Sequence, residues 1–202
     1  MGPYVDTGFR THGFILKKGT FAEIDVTVPG AEGTVAQAIN PRGDIVGFYI
    51  DSSGHEHGFL LSEDRFTKID VPGAGFPDAF GINAQRDIVG IYVDSGSNEH
   101  GFLLSRGAFT SIDVPGASAG STEALGINSE GDIVGGYFDT GFNLHGFLLR
   151  NRRFSTIDVP VAFGIGTQAF GVSPQGDIVG TYVDGSLNTH GFLLSKGRLD
   201  PD

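Results

Sequence analysis

The stretch GDIVGGYFDTGFNLHGFLL, Gly131–Leu149, decides the fold, because near-copies of it recur along the whole chain. Five copies are recognisable, the first of them shortened, and their histidines follow one another at intervals of 45, 43, 45 and 45 residues. A fixed period of this length is typical of repeat architectures, in which one small unit is stacked or arranged radially. We therefore expect residues 1–202 to form one repeat domain. The repeat histidines are His12, His57, His100, His145 and His190.

Each copy divides into four short apolar segments that are separated by turn residues. Around His145 these segments are Glu123–Asn128, Asp132–Phe138, His145–Leu149 and Phe154–Val159, and the variable link Val114–Ser121 precedes them. Both alternating faces of the second segment are apolar, which indicates a strand that is covered on both sides. The first two segments meet at a turn with glycine at its end, which favours a hairpin that needs a positive φ. One copy has Arg86 at this glycine position, where we expect some backbone strain.

Four antiparallel strands in about 45 residues is the period of a β-propeller blade, whose sheet packs both of its faces against neighbouring blades. We therefore predict an all-β, five-bladed propeller of four-stranded repeats whose first and last blades are incomplete. Four complete blades plus an extra hairpin is the alternative count. Because unfinished blades leave strand edges unpaired, the chain is also a candidate homo-oligomer that forms by strand exchange.

Composition and charge exclude several classes of partner. The formal net charge is −11 and the basic residues form no cluster, which argues against nucleic acid binding. The chain has no cysteine, so disulfides and thiolate metal sites are excluded. No apolar run reaches the roughly 18 residues of a membrane helix, and the N-terminal MGPYVDTGFR lacks the features of a signal peptide. We expect neither membrane insertion nor a nucleic acid partner.

The pattern GIN-x-x-GDIVG-x-Y, followed by HGFLL, resembles the HAF repeats, a family of bacterial extracellular repeats. The family takes its name from a His-Ala-Phe triplet, which reads His-Gly-Phe in all five copies here, and the resemblance extends over essentially the whole chain. It implies a propeller-like fold and a secreted or cell-surface location of the parent protein. It brings no catalytic residues with it.

The loop between the second and third segments holds the residues that are able to carry chemistry. An aspartate stands six residues before each repeat histidine, and a carboxylate in that position orients an imidazole in metal sites and catalytic dyads. The structural alternative is that each pair locks its own blade, and its presence in every copy favours this interpretation. The candidate ligand-binding residues in these loops are Asp51, Asp94, Asp139, Asp184, Asn98, Asn143 and Asn188.

A shared metal would need the five histidines to converge. On the third strand of a blade they would lie on the order of 19 Å apart, which is too far for one ion, so convergence requires that strand to be innermost. We predict a binding module for a small-molecule or glycan ligand, without a cofactor. The alternatives are a hydrolase of esters or phosphoesters that uses a divalent metal on the repeat histidines, and a structural spacer at a cell surface.

Overall fold

The computed structural model describes residues 1–160, 166–195 and 198–201, and within them all regular structure is β-strand. There is no helix in these ranges of the length and hydropathy needed to cross a membrane. The strands are β1 (Gly2–Val5), β2 (Thr11–Lys17), β3 (Thr20–Ile24), β4 (Ala31–Ile39), β5 (Ile45–Asp51), β6 (Glu56–Ser62), β7 (Arg65–Ile69), β8 (Gly75–Ile82), β9 (Ile88–Val93), β10 (Glu99–Ser105), β11 (Ala108–Ile112), β12 (Ala117–Ile127), β13 (Ile133–Asp139), β14 (Leu144–Arg150), β15 (Arg153–Ile157), β16 (Gly166–Val172), β17 (Ile178–Val183), β18 (Thr189–Ser195) and β19 (Arg198–Pro201).

The strands form five successive antiparallel units, which we number in chain order. Unit 1 has three strands, β1–β3, and units 2 to 5 have four each: β4–β7, β8–β11, β12–β15 and β16–β19. Single parallel backbone pairs, Glu99 with Ser121 and Leu144 with Gly166, join units 3, 4 and 5 into one 12-stranded sheet. The predicted four-stranded repeat is therefore confirmed, and the first unit is incomplete as expected.

Two predictions about element limits were wrong. The last unit is not short of a strand, because Arg198–Pro201 pairs with β18, although its sequence lacks the Phe and Ile of the earlier fourth strands. Gly197 and Asp202 of the same segment lie outside the described residues. The link Val114–Ser121 is not entirely loop either, since β12 already begins at Ala117 opposite Asp139. An irregular register between Ala117 and Thr122 accommodates the Gly- and Ser-rich sequence.

The core lies between the units, and each unit contributes two different faces to it. In unit 4 one face carries Tyr137 and Phe147, and we call it the Tyr face; the opposite face carries Val134 and Leu148, and we call it the Val face. The Tyr face packs against Val89 and its neighbours in unit 3, and the Val face packs against unit 5. The same apolar cluster is found at all four junctions between successive units. Burial on both sides explains why the second strand of each unit is apolar throughout.

A chain of asparagines ties the first turns of the units together. Asn83 accepts hydrogen bonds from the backbone N–H of Gln85 and Asp87, and its amide donates to the carbonyl of Asn128 in the next unit. Asn40 donates to the Asn83 carbonyl in the same way, and Asn128 donates to the Ser173 carbonyl. The GIN sequence therefore caps a hairpin and bridges two units at once.

Arg86 replaces the turn glycine of unit 3 and has the positive φ of 66° that the sequence predicted. Its side chain donates to both carboxylate oxygens of Asp44 in unit 2, at 2.8 and 3.0 Å. This charged pair lowers the pKa of Asp44 to about 2. A paired guanidinium of this geometry is among the stronger hydrogen-bonding arrangements, so it compensates for the local backbone strain.

Candidate ligand-binding clefts between the units

Four of the five repeat histidines lie between two carboxylates of their own unit, and the fifth, His190, lies beside one. The Nδ1 atom of His100 is 2.7 Å from Asp113, and its Nε2 atom is 3.3 Å from Asp94. His145 has the same arrangement with Asp158 and Asp139. The corresponding pairs elsewhere are His12 with Asp25 and Asp6, His57 with Asp70 and Asp51, and His190 with Asp184.

A tyrosine from the neighbouring strand covers each imidazole. Tyr92 stacks on His100 with 5.1 Å between ring centroids and 22° between the planes, and Tyr137 and His145 are placed similarly. Burial alone would lower the pKa of His100, but its hydrogen bonds to Asp113 and Asp94 outweigh that effect and raise the pKa. For His12 the hydrogen bond to Asp25 is the largest cause of a raised pKa. The histidine is therefore fixed as a cross-strand lock.

The predicted loop residues hold the shape of the loop. One carboxylate oxygen of Asp94 accepts the backbone N–H groups of Gly96 and Asn98, and the other accepts from the Asn98 amide and faces His100. These hydrogen bonds, led by those from Asn98, lower the pKa of Asp94 to about 2. Asp139 and Asn143 repeat the arrangement. Both oxygens of these aspartates are thus engaged within the loop, as in an Asx turn.

The structure does not bring the repeat histidines together. Each one lies in a different unit beside its own carboxylates. In the part of the chain that the structure describes, one group of three residues has a spacing that would suit a metal ion, and it contains a single histidine: His12 with Glu23 and Asp25. The shared five-histidine metal site therefore gains no support from this geometry.

An open cleft lies between units 1 and 2. Its wider part is a cavity of about 640 Å³ that Phe9, Arg10 and Glu32 border, with Gly30 and Ile50 on the side of unit 2. Its narrower part continues to the repeat histidine and to the start of β4. The lining residues of that narrower part are Arg10, Thr11, His12, Asp25, Val26, Ala31, Glu32, Gly33 and Thr34.

The same cleft recurs between units 4 and 5. A cavity of about 280 Å³ is lined there by Asn143 and His145 on one side and by Gly166 and Thr167 on the other. Asp158 completes it in the position that Asp25 has in the first cleft. The cleft is therefore present at two of the four junctions, in both cases where one unit's histidine faces the first strand of the next unit.

Exposed aromatic side chains stand at the tips of the loops that border these clefts. Phe9 is 90% exposed and Phe142 is 81% exposed, and both have a positive φ, 64° and 62°. Bulky residues in this backbone region are uncommon and strained. An exposed phenyl ring that the backbone holds outward beside a polar cleft is a suitable surface for contact with a ligand.

A row of acidic side chains crosses the junctions between the units. Burial, together with the charges of Glu56 and Glu99, raises the pKa of Asp78 to about 7. Burial also raises the pKa of Glu99 and of Glu123. The amide of Gln168 donates to Glu123 across the next junction, while one oxygen of Asp78 is buried without a hydrogen-bond partner.

Sequence reasoning missed the second carboxylate that contacts four of the five repeat histidines. Asp25, Asp70, Asp113 and Asp158 each follow a repeat histidine by 13 residues. That constant spacing was visible in the sequence, but only the pairing of the third and fourth strands shows that it brings the two groups together. The acidic row was missed because its members belong to different segments of different repeats.

Comparison of the sequence with protein-family models and with curated proteins gives no match. Solved structures do match. The six-bladed β-propeller lectin of Aleuria aurantia, described with its fucose recognition mode, superposes with a TM-score of 0.60 at 11% identity over 99% of this chain and 72% of that chain. A lectin from Burkholderia pseudomallei gives a TM-score of 0.53 at 12% identity, covering 98% and 64%. The β-propeller domain of the Trilobed protease from Pyrococcus furiosus gives 0.51 at 7%, covering 98% and 82%.

These matches identify the fold class. The chain is an all-β protein with a β-propeller fold, as the repeat period predicted. At such low identities the likeness concerns the fold alone, and the same fold is found in lectins and in part of a protease.

Proposed function

We propose that the five units are five blades of a propeller that binds carbohydrate in the clefts between blades. The recurrence of one polar cleft, with the same histidine and aspartate, at two junctions is the observation that carries this proposal. Repeated shallow sites suit a module that binds several copies of a small ligand. The structural similarity to lectins that recognise fucose supports the same class of ligand.

The chemistry of the clefts suits a sugar. A sugar ring presents hydroxyl groups, which both donate and accept hydrogen bonds, and an apolar C–H face. Carboxylates, backbone groups and the Arg10 guanidinium supply the polar partners, and Phe9 at the rim supplies an apolar surface. The predicted residues Asn143 and His145 line the second cleft, while Asp94 and Asp139 act by holding the loops that shape such clefts.

Nothing in the geometry favours the alternatives over binding. A metal-dependent hydrolase would need an open coordination position on an ion held by several ligands, and the repeat histidines lie one per unit. A pure spacer would not need an exposed phenyl ring with a strained backbone beside a polar cleft.

A glycan array identifies the ligand, and titration with the best-bound monosaccharide, starting from α-methyl-L-fucoside, then counts the sites. Arg10→Ala removes the guanidinium from the first cleft and leaves the second cleft intact. We expect it to reduce the number of sites per chain by one without weakening the others. Arg65→Ala, a change on β7 away from both clefts, is the matched control. Absence of binding to every glycan would refute the proposal.

A further inference from the structure

Among the described residues, no unit covers the Tyr face of unit 1. Tyr4 is 41% exposed, Leu16 is 51% exposed and Phe21 is 68% exposed. Tyr49 and Tyr182, which take the place of Tyr4 in units 2 and 5, are only 6% and 5% exposed because the preceding unit covers them. Around Tyr4, Phe14 and Phe21 the uncovered face forms an open hollow of about 440 Å³.

The Val face of unit 5 is uncovered in the same way at the other end. Val179 is 49% exposed, whereas Val46, Val89 and Val134 at the same position of units 2 to 4 are all 0% exposed. Leu193, beside Val179 on the neighbouring strand, is 40% exposed. Exposed apolar surface of this kind on a folded chain marks a site of association.

The two end faces are complementary because they are the same two faces that pack on each other between units. Within the chain a Val face packs on the next Tyr face at every one of the four junctions. The exposed Val179 and Leu193 repeat the side chains that cover Tyr137 and Phe147 inside the molecule. A contact between the two ends would therefore continue an interface that the chain already forms four times.

The ends do not meet within one chain. Both end faces are exposed, and no strand of unit 1 pairs with a strand of unit 5 among the described residues. The superposition on a six-bladed propeller lectin covers 99% of this chain but only 72% of that chain, which fits an arc of five units that leaves a gap. We propose that the Val face of unit 5 binds the Tyr face of unit 1 in a second copy of this chain.

This contact differs from strand exchange and sets limits on the assembly. The contact is heterologous, because it joins two different faces. The gap in the arc is too small for a second whole arc in the same plane, so further copies form an open helical array and not a flat ring. Ser173 stands where the preceding units have asparagine, so the amide that ties each unit to the next is missing at this end. The association rests on apolar contacts and is reversible on dilution.

The molar mass, measured by light scattering after size-exclusion chromatography, tests the proposal. Three variants are used, and each adds one negative charge. Phe21→Glu places a carboxylate on the Tyr face, Val179→Glu places one on the Val face, and Val28→Glu places one on an exposed apolar residue in the link after unit 1. Thermal melting and near-ultraviolet circular dichroism establish that each variant is folded. All three are mixed in pairs as well as measured alone.

We expect the mass of the wild type and of Val28→Glu to increase with concentration. Phe21→Glu and Val179→Glu should each remain monomeric alone, yet an equal mixture should form a dimer, because each supplies the intact face that the other lacks. A wild type that stays monomeric at every concentration overturns the proposal, since its end faces then close on each other or stay in water. Association of Val179→Glu alone overturns it in favour of a symmetric contact between Tyr faces.

Discussion

At the scale of the residue, the repeat histidine acts as a lock between strands. It pairs with one aspartate from the loop before it and another from the fourth strand's end, and a tyrosine stacks on its ring. A single side chain thus joins three strands of one unit at the border of a cleft. The Asp–His spacing in the sequence predicted half of this arrangement, and the tyrosine and second aspartate required the sheet pairing.

The pH dependence of stability tests the environment of the half-buried carboxyl group of Asp78. Its pKa is about 7 in the folded protein and 3.8 in a free side chain, so the folded state retains the proton more strongly. The stability that this provides is complete below pH 3.8 and is lost as the pH rises through about 7. We expect the melting temperature of Asp78→Asn to change less than that of the wild type between pH 4 and pH 7. Above pH 7 we expect the variant to be more stable than the wild type.

The remaining slope in that variant comes from Glu99 and Glu123, whose pKa values are also raised, and near pH 4 from aspartates with lowered pKa values such as Asp94, whose effect has the opposite sign. The histidines with raised pKa values change the stability above pH 6.5 with the same sign as Asp78, so the comparison is cleanest between about pH 5 and pH 6.5. A variant with the full slope of the wild type would show that Asp78 is solvated in the folded protein.

The glycine of the DIVG sequence is fixed by contact with the strand beside it. A Cβ atom at Gly135 would overlap the carbonyl oxygen of Glu123 and the ring of Phe147. We expect Gly135→Ala to lower the free energy of unfolding by at least about 2 kcal/mol in denaturant titration, since backbone must move. Gly75→Ala is the control, because no heavy atom lies near its Cβ position, and an equal loss in both variants would contradict the account.

At the scale of the element, the period and the turn residues predicted the number and order of strands in each repeat. The predicted bounds of the strands were less accurate, because backbone pairing does not depend on the type of side chain. β12 extends into the Gly- and Ser-rich link, and β19 forms without the aromatic and β-branched residues of its counterparts. Asn143 and His145 were predicted as site residues, but the shape of the cleft that they line was not, because each cleft is made by two units and depends on how they pack.

The asparagine of the first turn has two roles: it caps its own turn and it bridges to the next unit. Two substitutions of Asn83 distinguish these roles. Asn83→Ala loses both the turn cap and the bond to the Asn128 carbonyl, and since Asn83 is buried we expect a loss of about 1–3 kcal/mol. Asn83→Ser keeps part of the cap, as Ser173 does with the N–H of Asp177, and loses only the bridge. Denaturant titration should therefore place Asn83→Ser between Asn83→Ala and the wild type.

Equal stability of the serine variant and the wild type would mean that the bridge between units contributes nothing. Equal stability of the serine and alanine variants would mean that the cap contributes nothing.

At the scale of the whole molecule, one repeated unit produces three different surfaces. The Val and Tyr faces build the core where units meet and remain exposed at the two ends of the arc. The borders between units form polar clefts with aromatic tips.

The number of glycan sites per chain is the measurement that tests the central claim most directly. Isothermal titration with the monosaccharide selected on the array gives this number together with the affinity. Because the cleft belongs to the repeat, the account predicts more than one site of similar affinity on each chain. A single site per chain, or none, would contradict it, since the clefts between units would then not be the binding surface.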